Sequence, residues 1–116
     1  MQKYIGSCHC GAVTYEVEGE FNEGLKCNCS HCSRKGFVLT FVPEDKFKLL
    51  SGEDNLTSYK FNKKQIAHTF CKTCGVESFA KGSDGQGNYM VAINLNCLEN
   101  FDIDKIKVNS YNGKDL

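Results

Sequence analysis

Apolar and polar positions alternate along much of the chain with the period of a β-strand. Over 12–17, Val13, Tyr15 and Val17 share one face while Thr14 and Glu16 share the other. Over 37–42 the run is almost wholly apolar and predicts a buried strand. Further β-type runs follow at 47–50, 57–61, 66–70, 76–80 and 89–95, and a short one at 106–108 predicts an edge. Glycines stand at the ends of these runs, and a cluster over 82–88 predicts a flexible loop. Helix is scarce. One turn is expected around 30–35 and another at 43–47, where Pro43, the only proline, suits a first helical position. Strands at this interval, with turn signals between them, predict a mainly β chain with very little helix, an antiparallel sandwich or rolled sheet.

With 116 residues and no repeat, linker or low-complexity segment, the chain reads as one domain over 1–116. Hydrophobic residues make up 41%, enough for a core, but a domain this small has a modest margin of stability. Lys plus Arg and Asp plus Glu balance at 14 each. Neutral charge argues against duplex nucleic acid or an anionic membrane as partner. Arg34 is the only arginine, which also disfavours a phosphate-reading surface. The N-terminus carries no apolar segment of signal-peptide length, and no run is long enough to span a membrane. A soluble, cytoplasmic protein is expected.

The eight cysteines change this picture most. Cys8 and Cys10 form a C-x-C pair. Cys27, Cys29 and Cys32 form a C-x-C-x-x-C triplet. Cys71 and Cys74 form a C-x-x-C pair, and Cys97 stands alone. Zinc takes thiolates at about 2.3 Å, so tetrahedral ligands place their sulfurs roughly 4 Å apart. Residues one or two apart reach that spacing if the backbone turns, and Gly11 and Gly75 follow the two pairs closely. A disulfide framework fits poorly, because a C-x-C ring is strained and the expected compartment is reducing. A redox C-x-x-C at Cys71 and Cys74 lacks the helix N-terminus that would activate it.

Clusters of two, three and two ligands hold one closed site and one open site, since two closed sites would need eight thiolates. The remote pairs combine as Cys8, Cys10, Cys71 and Cys74, a structural zinc whose binding is coupled to folding. Cys27, Cys29 and Cys32 face a second zinc and leave its fourth position to water or substrate; this open site need not stay fully loaded. Three thiolates make that zinc a weak Lewis acid toward water and a good holder of soft sulfur, so a small thiol is favoured over hydrolysis. Cys97 ends an apolar run and reads either as a buried core residue or as an eighth ligand that closes the second site.

Taken in order, these motifs carry a resemblance. C-x-C leads into Gly11-Ala12-Val13, and C-x-C-S-x-C follows. Next come Phe41-Val42-Pro43 and Leu49-Leu50-Ser51-Gly52-Glu53-Asp54. His68-x-Phe70-Cys71-x-x-Cys74-Gly75-Val76 and Asn94-Leu95-Asn96-Cys97-Leu98 complete the series. From about residue 6 to 101 the chain resembles the glutathione-dependent formaldehyde-activating enzyme family, which also includes centromere protein V-like proteins. The resemblance implies a small zinc-binding fold of twisted antiparallel sheets. It implies a structural zinc on Cys8, Cys10, Cys71 and Cys74 and a catalytic-type zinc on Cys27, Cys29 and Cys32. It implies carbon–sulfur lyase activity, with glutathione and formaldehyde in equilibrium with S-hydroxymethylglutathione. Two departures loosen the substrate: the chain lacks the longer C-terminal part of the formaldehyde-activating members proper, and Glu77 stands where many relatives have His.

Among the remaining residues, His68 and Glu77 are candidate proton-transfer groups beside the open zinc. For His68 the competing reading is a strand histidine with a hydrogen-bond partner. His31, inside the triplet, would shape the surroundings of the metal, and His9 is expected to face outward. Lys26, Arg34 and Lys35 flank the triplet and could meet the carboxylates of glutathione, or simply be solvated. Against the enzyme stands a zinc-stabilised binding module without chemistry, which a fourth protein ligand at the triplet would favour.

Overall fold

The computed structural model describes residues 2–28, 30–59, 66–83 and 89–111. In chain order the strands are β1 (Gln2–Ser7), β2 (Thr14–Gly19), β3 (Glu23–Cys27), β4 (Leu39–Pro43) and β5 (Phe47–Ser51). They continue as β6 (Leu56–Tyr59), β7 (Ile66–Cys71), β8 (Phe79–Ser83), β9 (Tyr89–Asn94) and β10 (Lys107–Tyr111). One short helix, α1 (Ser30–Lys35), lies between β3 and β4. The mainly β class with little helix is as the sequence predicts. No helix among the described residues is long and apolar enough to cross a membrane.

The strands form a three-stranded sheet ordered β1-β2-β5 and a seven-stranded sheet ordered β10-β3-β4-β9-β8-β7-β6. Neighbours pair antiparallel, except that β10 runs parallel to β3. The alternation read over 12–17 sets the inner face: Val13, Tyr15 and Val17 are all fully buried. They meet Val42, Phe79, Val91 and Ile93 of the larger sheet, and Leu95 just after β9, in one core. Tyr15, Phe47 and Phe79 join the sheets, with ring centroids 4.7 to 5.6 Å apart. Fully burying a side chain such as Phe79 contributes about 1.5–3 kcal/mol.

The register also defines the outer face of the larger sheet. Directly paired residues share a face, so Phe41, Ala92, Ala80, His68 and Tyr59 form one row across five strands. α1 lies against this face.

Several local expectations shift. The strand expected over 76–80 begins only at Phe79, because the preceding carbonyls bond elsewhere. Val76 O accepts from Cys71 N, Glu77 O from Asn94 Nδ2, and Ser78 O from Tyr15 Oη and Asn94 N. Pro43 is extended (φ −62°, ψ 152°) and ends β4, so the helical turn starts at Glu44 as a 3₁₀ turn. Gly82 and Ser83, expected in a loop, close β8, and the rest of that cluster lies outside the described residues. The strand expected over 57–61 is described only as far as Tyr59. The edge expected at 106–108 is β10, which is indeed terminal in its sheet. β1 and β3 had no counterpart in the expectations.

Candidate metal centre and the His–Glu cluster

The C-x-C pair follows β1 directly, and the C-x-x-C pair closes β7. Gly11 (φ 84°) and Gly75 (φ 79°) adopt the left-handed conformation that turns the backbone after each pair. Gly75 N donates to Cys71 O at 2.8 Å, and Cys8 N donates to Val13 O at 3.0 Å, so each knuckle is closed by its own backbone. The result brings together thiols that the sequence separates by more than half the chain. Cys8, Cys10, Cys71 and Cys74 place their sulfurs within 4.8 Å of one another. Cys8 Sγ lies 3.7 Å from Cys10 Sγ, and Cys10 Sγ lies 3.6 Å from Cys71 Sγ. Those are the edges of a tetrahedron with metal–sulfur bonds of about 2.3 Å. The four residues fit a closed metal site, as the pairing arithmetic expected.

Surrounding donors prepare the sulfurs for a cation. Val13 N donates to Cys8 Sγ at 3.4 Å, and Asn55 Nδ2 donates to Cys71 Sγ at 3.2 Å. Backbone N–H groups of Cys74 and Thr73 beside Cys71 outweigh its burial and hold its thiol down at about 6. A backbone N–H of Ala12 favours the Cys10 thiolate, but burial and the neighbouring thiols prevail and hold it up at about 11. A set of four thiols that cannot all ionise together is what a divalent cation resolves. Asn55 was not anticipated. Nothing in its sequence context marks it, because its amide reaches Cys71 only through the pairing of β6 with β7.

Cys97 follows β9 and faces this same cluster. Burial pushes its thiol up to about 11, and Cys8 and Cys74 push the same way. It is not among the four grouped sulfurs.

The triplet is described only in part. Cys27 ends β3 half-buried, while Cys29 and the Cys32 side chain lie outside the described residues. What α1 does show is the company it keeps. The His31 ring centroid sits 4.1 Å from that of His68, and the His31 ring stacks on Tyr59 at 5.7 Å. His68 Nδ1 lies 3.0 Å from Glu77 Oε2. Lys35 Nζ lies 3.5 Å from Glu77 Oε1 and 5.3 Å from the Phe70 ring centroid. His68 is 6% exposed and Glu77 4%, so a carboxylate is buried and offset by two nitrogen bases. Burial holds the His31 imidazole below its usual range, and the neighbouring His68 pushes the same way.

Both residues expected to move protons are therefore in contact with each other and adjacent to the helix of the triplet. His68 also satisfies its plainer reading, a strand histidine with a partner. Lys35, expected as a cation for substrate carboxylates, is turned inward to Glu77. Lys26 and Arg34 are exposed, and so is His9, as expected.

The sequence matches the family described as glutathione-dependent formaldehyde-activating enzyme over residues 3–112. A crystal structure of a Rhodobacter sphaeroides protein superposes with a TM-score of 0.78 and 29% identity, covering 90% of this chain and 99% of that one. The match spans both cysteine pairs, the triplet and the His–Glu cluster, and with it this chain belongs to the glutathione-dependent formaldehyde-activating enzyme family.

Proposed function

We propose that the chain is a zinc-dependent carbon–sulfur lyase acting on a thiol adduct, with glutathione plus formaldehyde to S-hydroxymethylglutathione as the reaction implied by its family. The observation that carries this reading is the buried His68–Glu77 pair at 3.0 Å, set against α1 of the cysteine triplet. Cys8, Cys10, Cys71 and Cys74 hold a structural zinc, and Cys27, Cys29 and Cys32 hold the second. When bound there, zinc would keep a substrate sulfur as thiolate.

The chain's own groups then handle the proton. A carboxylate only accepts, so Glu77 Oε2 fixes the proton on His68 Nδ1 and leaves Nε2 with a lone pair. Nε2 takes the proton of the incoming thiol. As sulfur bonds to the formaldehyde carbon, the carbonyl oxygen gains charge, and the same nitrogen returns the proton to it. The adduct so formed is a hydroxymethyl thioether, and the reverse order releases the aldehyde. Glu77 steadies the transient imidazolium, while Lys35 neutralises the carboxylate when His68 is uncharged.

Exchange spectroscopy on a glutathione–formaldehyde mixture tests the reading. The protein should accelerate exchange between free and adducted thiol. Cys29→Ser should abolish the acceleration, and His68→Gln should lower it about 10²–10⁴-fold. No acceleration by protein carrying two zinc ions would sink the proposal for this substrate and favour a non-catalytic binding module.

A further inference from the structure

The cluster on the outer face has a composition that proton transfer alone does not require. His31, His68 and Glu77 come from three separate segments: α1, β7 and the stretch before β8. Their ligand atoms all lie within 4.8 Å of one another. Two imidazoles and one carboxylate are a donor set for a borderline divalent transition ion, with no thiolate and too little oxygen for magnesium or calcium. The set is sheltered: His68 and Glu77 are buried, and His31 is half-buried under the ring of Tyr59. The Glu77 Oε1 atom is buried and accepts no hydrogen bond among the described residues; its neighbour is the Lys35 ammonium at 3.5 Å.

We propose that His31, His68 and Glu77 form a further metal site, built without thiolate, that takes a divalent transition ion through two nitrogens and one carboxylate. Bonds of about 2.1 Å put neighbouring ligand atoms roughly 3.0 Å apart at right angles. The His68 Nδ1 to Glu77 Oε2 separation of 3.0 Å already has that value. The ion takes the place of the proton between those two atoms, and that proton moves to His68 Nε2, so the imidazole stays neutral. His31 must close the remaining gap, by a side-chain adjustment on a helix of only six residues.

Lys35 opposes this and makes the proposal sharper. Its ammonium is the positive charge on Glu77 in the metal-free state. It lies in the last turn of α1 with its side chain 34% exposed, so it can swing to water when a cation enters. The residue that competes with the metal is thus identified in advance. Because His68 cannot hold the ion and move a proton together, occupancy would silence the chemistry proposed above. The site itself does not depend on that chemistry.

The test is a cobalt(II) titration of protein already carrying zinc in its cysteine sites, followed by absorption and native mass spectrometry. One extra ion per chain is expected, with weak visible bands and no thiolate-to-cobalt charge transfer in the near ultraviolet. Glu77→Gln and His31→Gln should each weaken binding by about tenfold or more, and Lys35→Met should strengthen it severalfold. His31→Gln carries the test if Glu77→Gln does not fold. No extra ion, a charge-transfer band alone, or binding indifferent to Glu77→Gln and His31→Gln would each overturn the proposal. Thiol exchange is measured without cobalt, so its failure would leave the metal site standing, and the reverse.

Discussion

Replacing Gly6 by alanine should be among the most damaging single-methyl changes in this protein. Gly6 lies opposite Tyr15 in the β1–β2 pair. A Cβ at Gly6 would run into the Tyr15 ring, with Cε1 at 2.6 Å and both Cζ and Oη nearer still. The ring has nowhere to go. It is fully buried, its hydroxyl donates to Ser78 O at 3.0 Å, and Phe47 and Phe79 flank it with centroids at 5.1 and 5.6 Å. Overpacking of this kind costs about 1–3 kcal/mol. Tilting the ring away would break the buried hydrogen bond for a further 1–3 kcal/mol or so. The sum, about 2–6 kcal/mol, is a large part of the 5–15 kcal/mol or so that a domain possesses. Urea unfolding of zinc-loaded Gly6→Ala against the parent measures it. A double variant with Tyr15→Val should be markedly non-additive, because the added methyl then enters the space the ring vacated. A Gly6→Ala cost below about 1 kcal/mol, or strict additivity with Tyr15→Val, would show that the ring is not fixed as described.

Other outcomes follow from the metal centre. Asn55→Ala removes the amide that donates to Cys71 Sγ at 3.2 Å, and chelator competition should show metal retention weakened about 10–100-fold. In metal-free protein, one thiolate should titrate near pH 6 by ultraviolet absorbance and vanish in Cys71→Ser. That thiol is held below its unfolded value, near 8.5, so its contribution to stability is present above that pH and is lost as pH falls through about 6. At Gly75 a Cβ meets nothing within 4 Å, so only the positive φ opposes a side chain. Gly75→Val should therefore cost about 1–2 kcal/mol and weaken metal binding, while Gly75→Asn should be better tolerated in both thermal melts and metal competition.

The parts of this molecule that were legible in the sequence are those with a local signature. Val13, Tyr15 and Val17 read as an inner face because strand side chains alternate and one side of this strand is packed. The knuckles were legible because chelation by neighbouring thiols demands close spacing and a turn. α1 was placed at 30–35 and is found at Ser30–Lys35. β1 and β3 were missed because Gln-Lys-Tyr-Ile-Gly-Ser and Glu-Gly-Leu-Lys-Cys carry little apolar alternation. Their partners hold them, not their own pattern. The meeting of His31 with His68 was equally invisible. It depends on strand order, which folds the triplet's helix over β7, and no spacing rule reports strand order. Asn55 and Lys35 acquire their roles in the same way, from neighbours distant in sequence.

The parallel pairing of β10 with β3 bears on how the molecule is made. β3 meets β4 at a single register pair, Leu25 with Leu39, yet meets β10 along its whole length, from Glu23 with Lys107 to Cys27 with Tyr111. Cys27 enters the ribosomal exit tunnel long before Tyr111 does. During synthesis the strand leading into the triplet therefore waits without its principal neighbour, while β1 and β2 can already pair as a hairpin. The four-thiolate centre is complete once Cys74 has emerged, and the segment leading into the triplet is fastened only by the last strand described. Assembly thus runs from the four-thiol centre toward the triplet, whose approach strand is set in place only after β10 has been made.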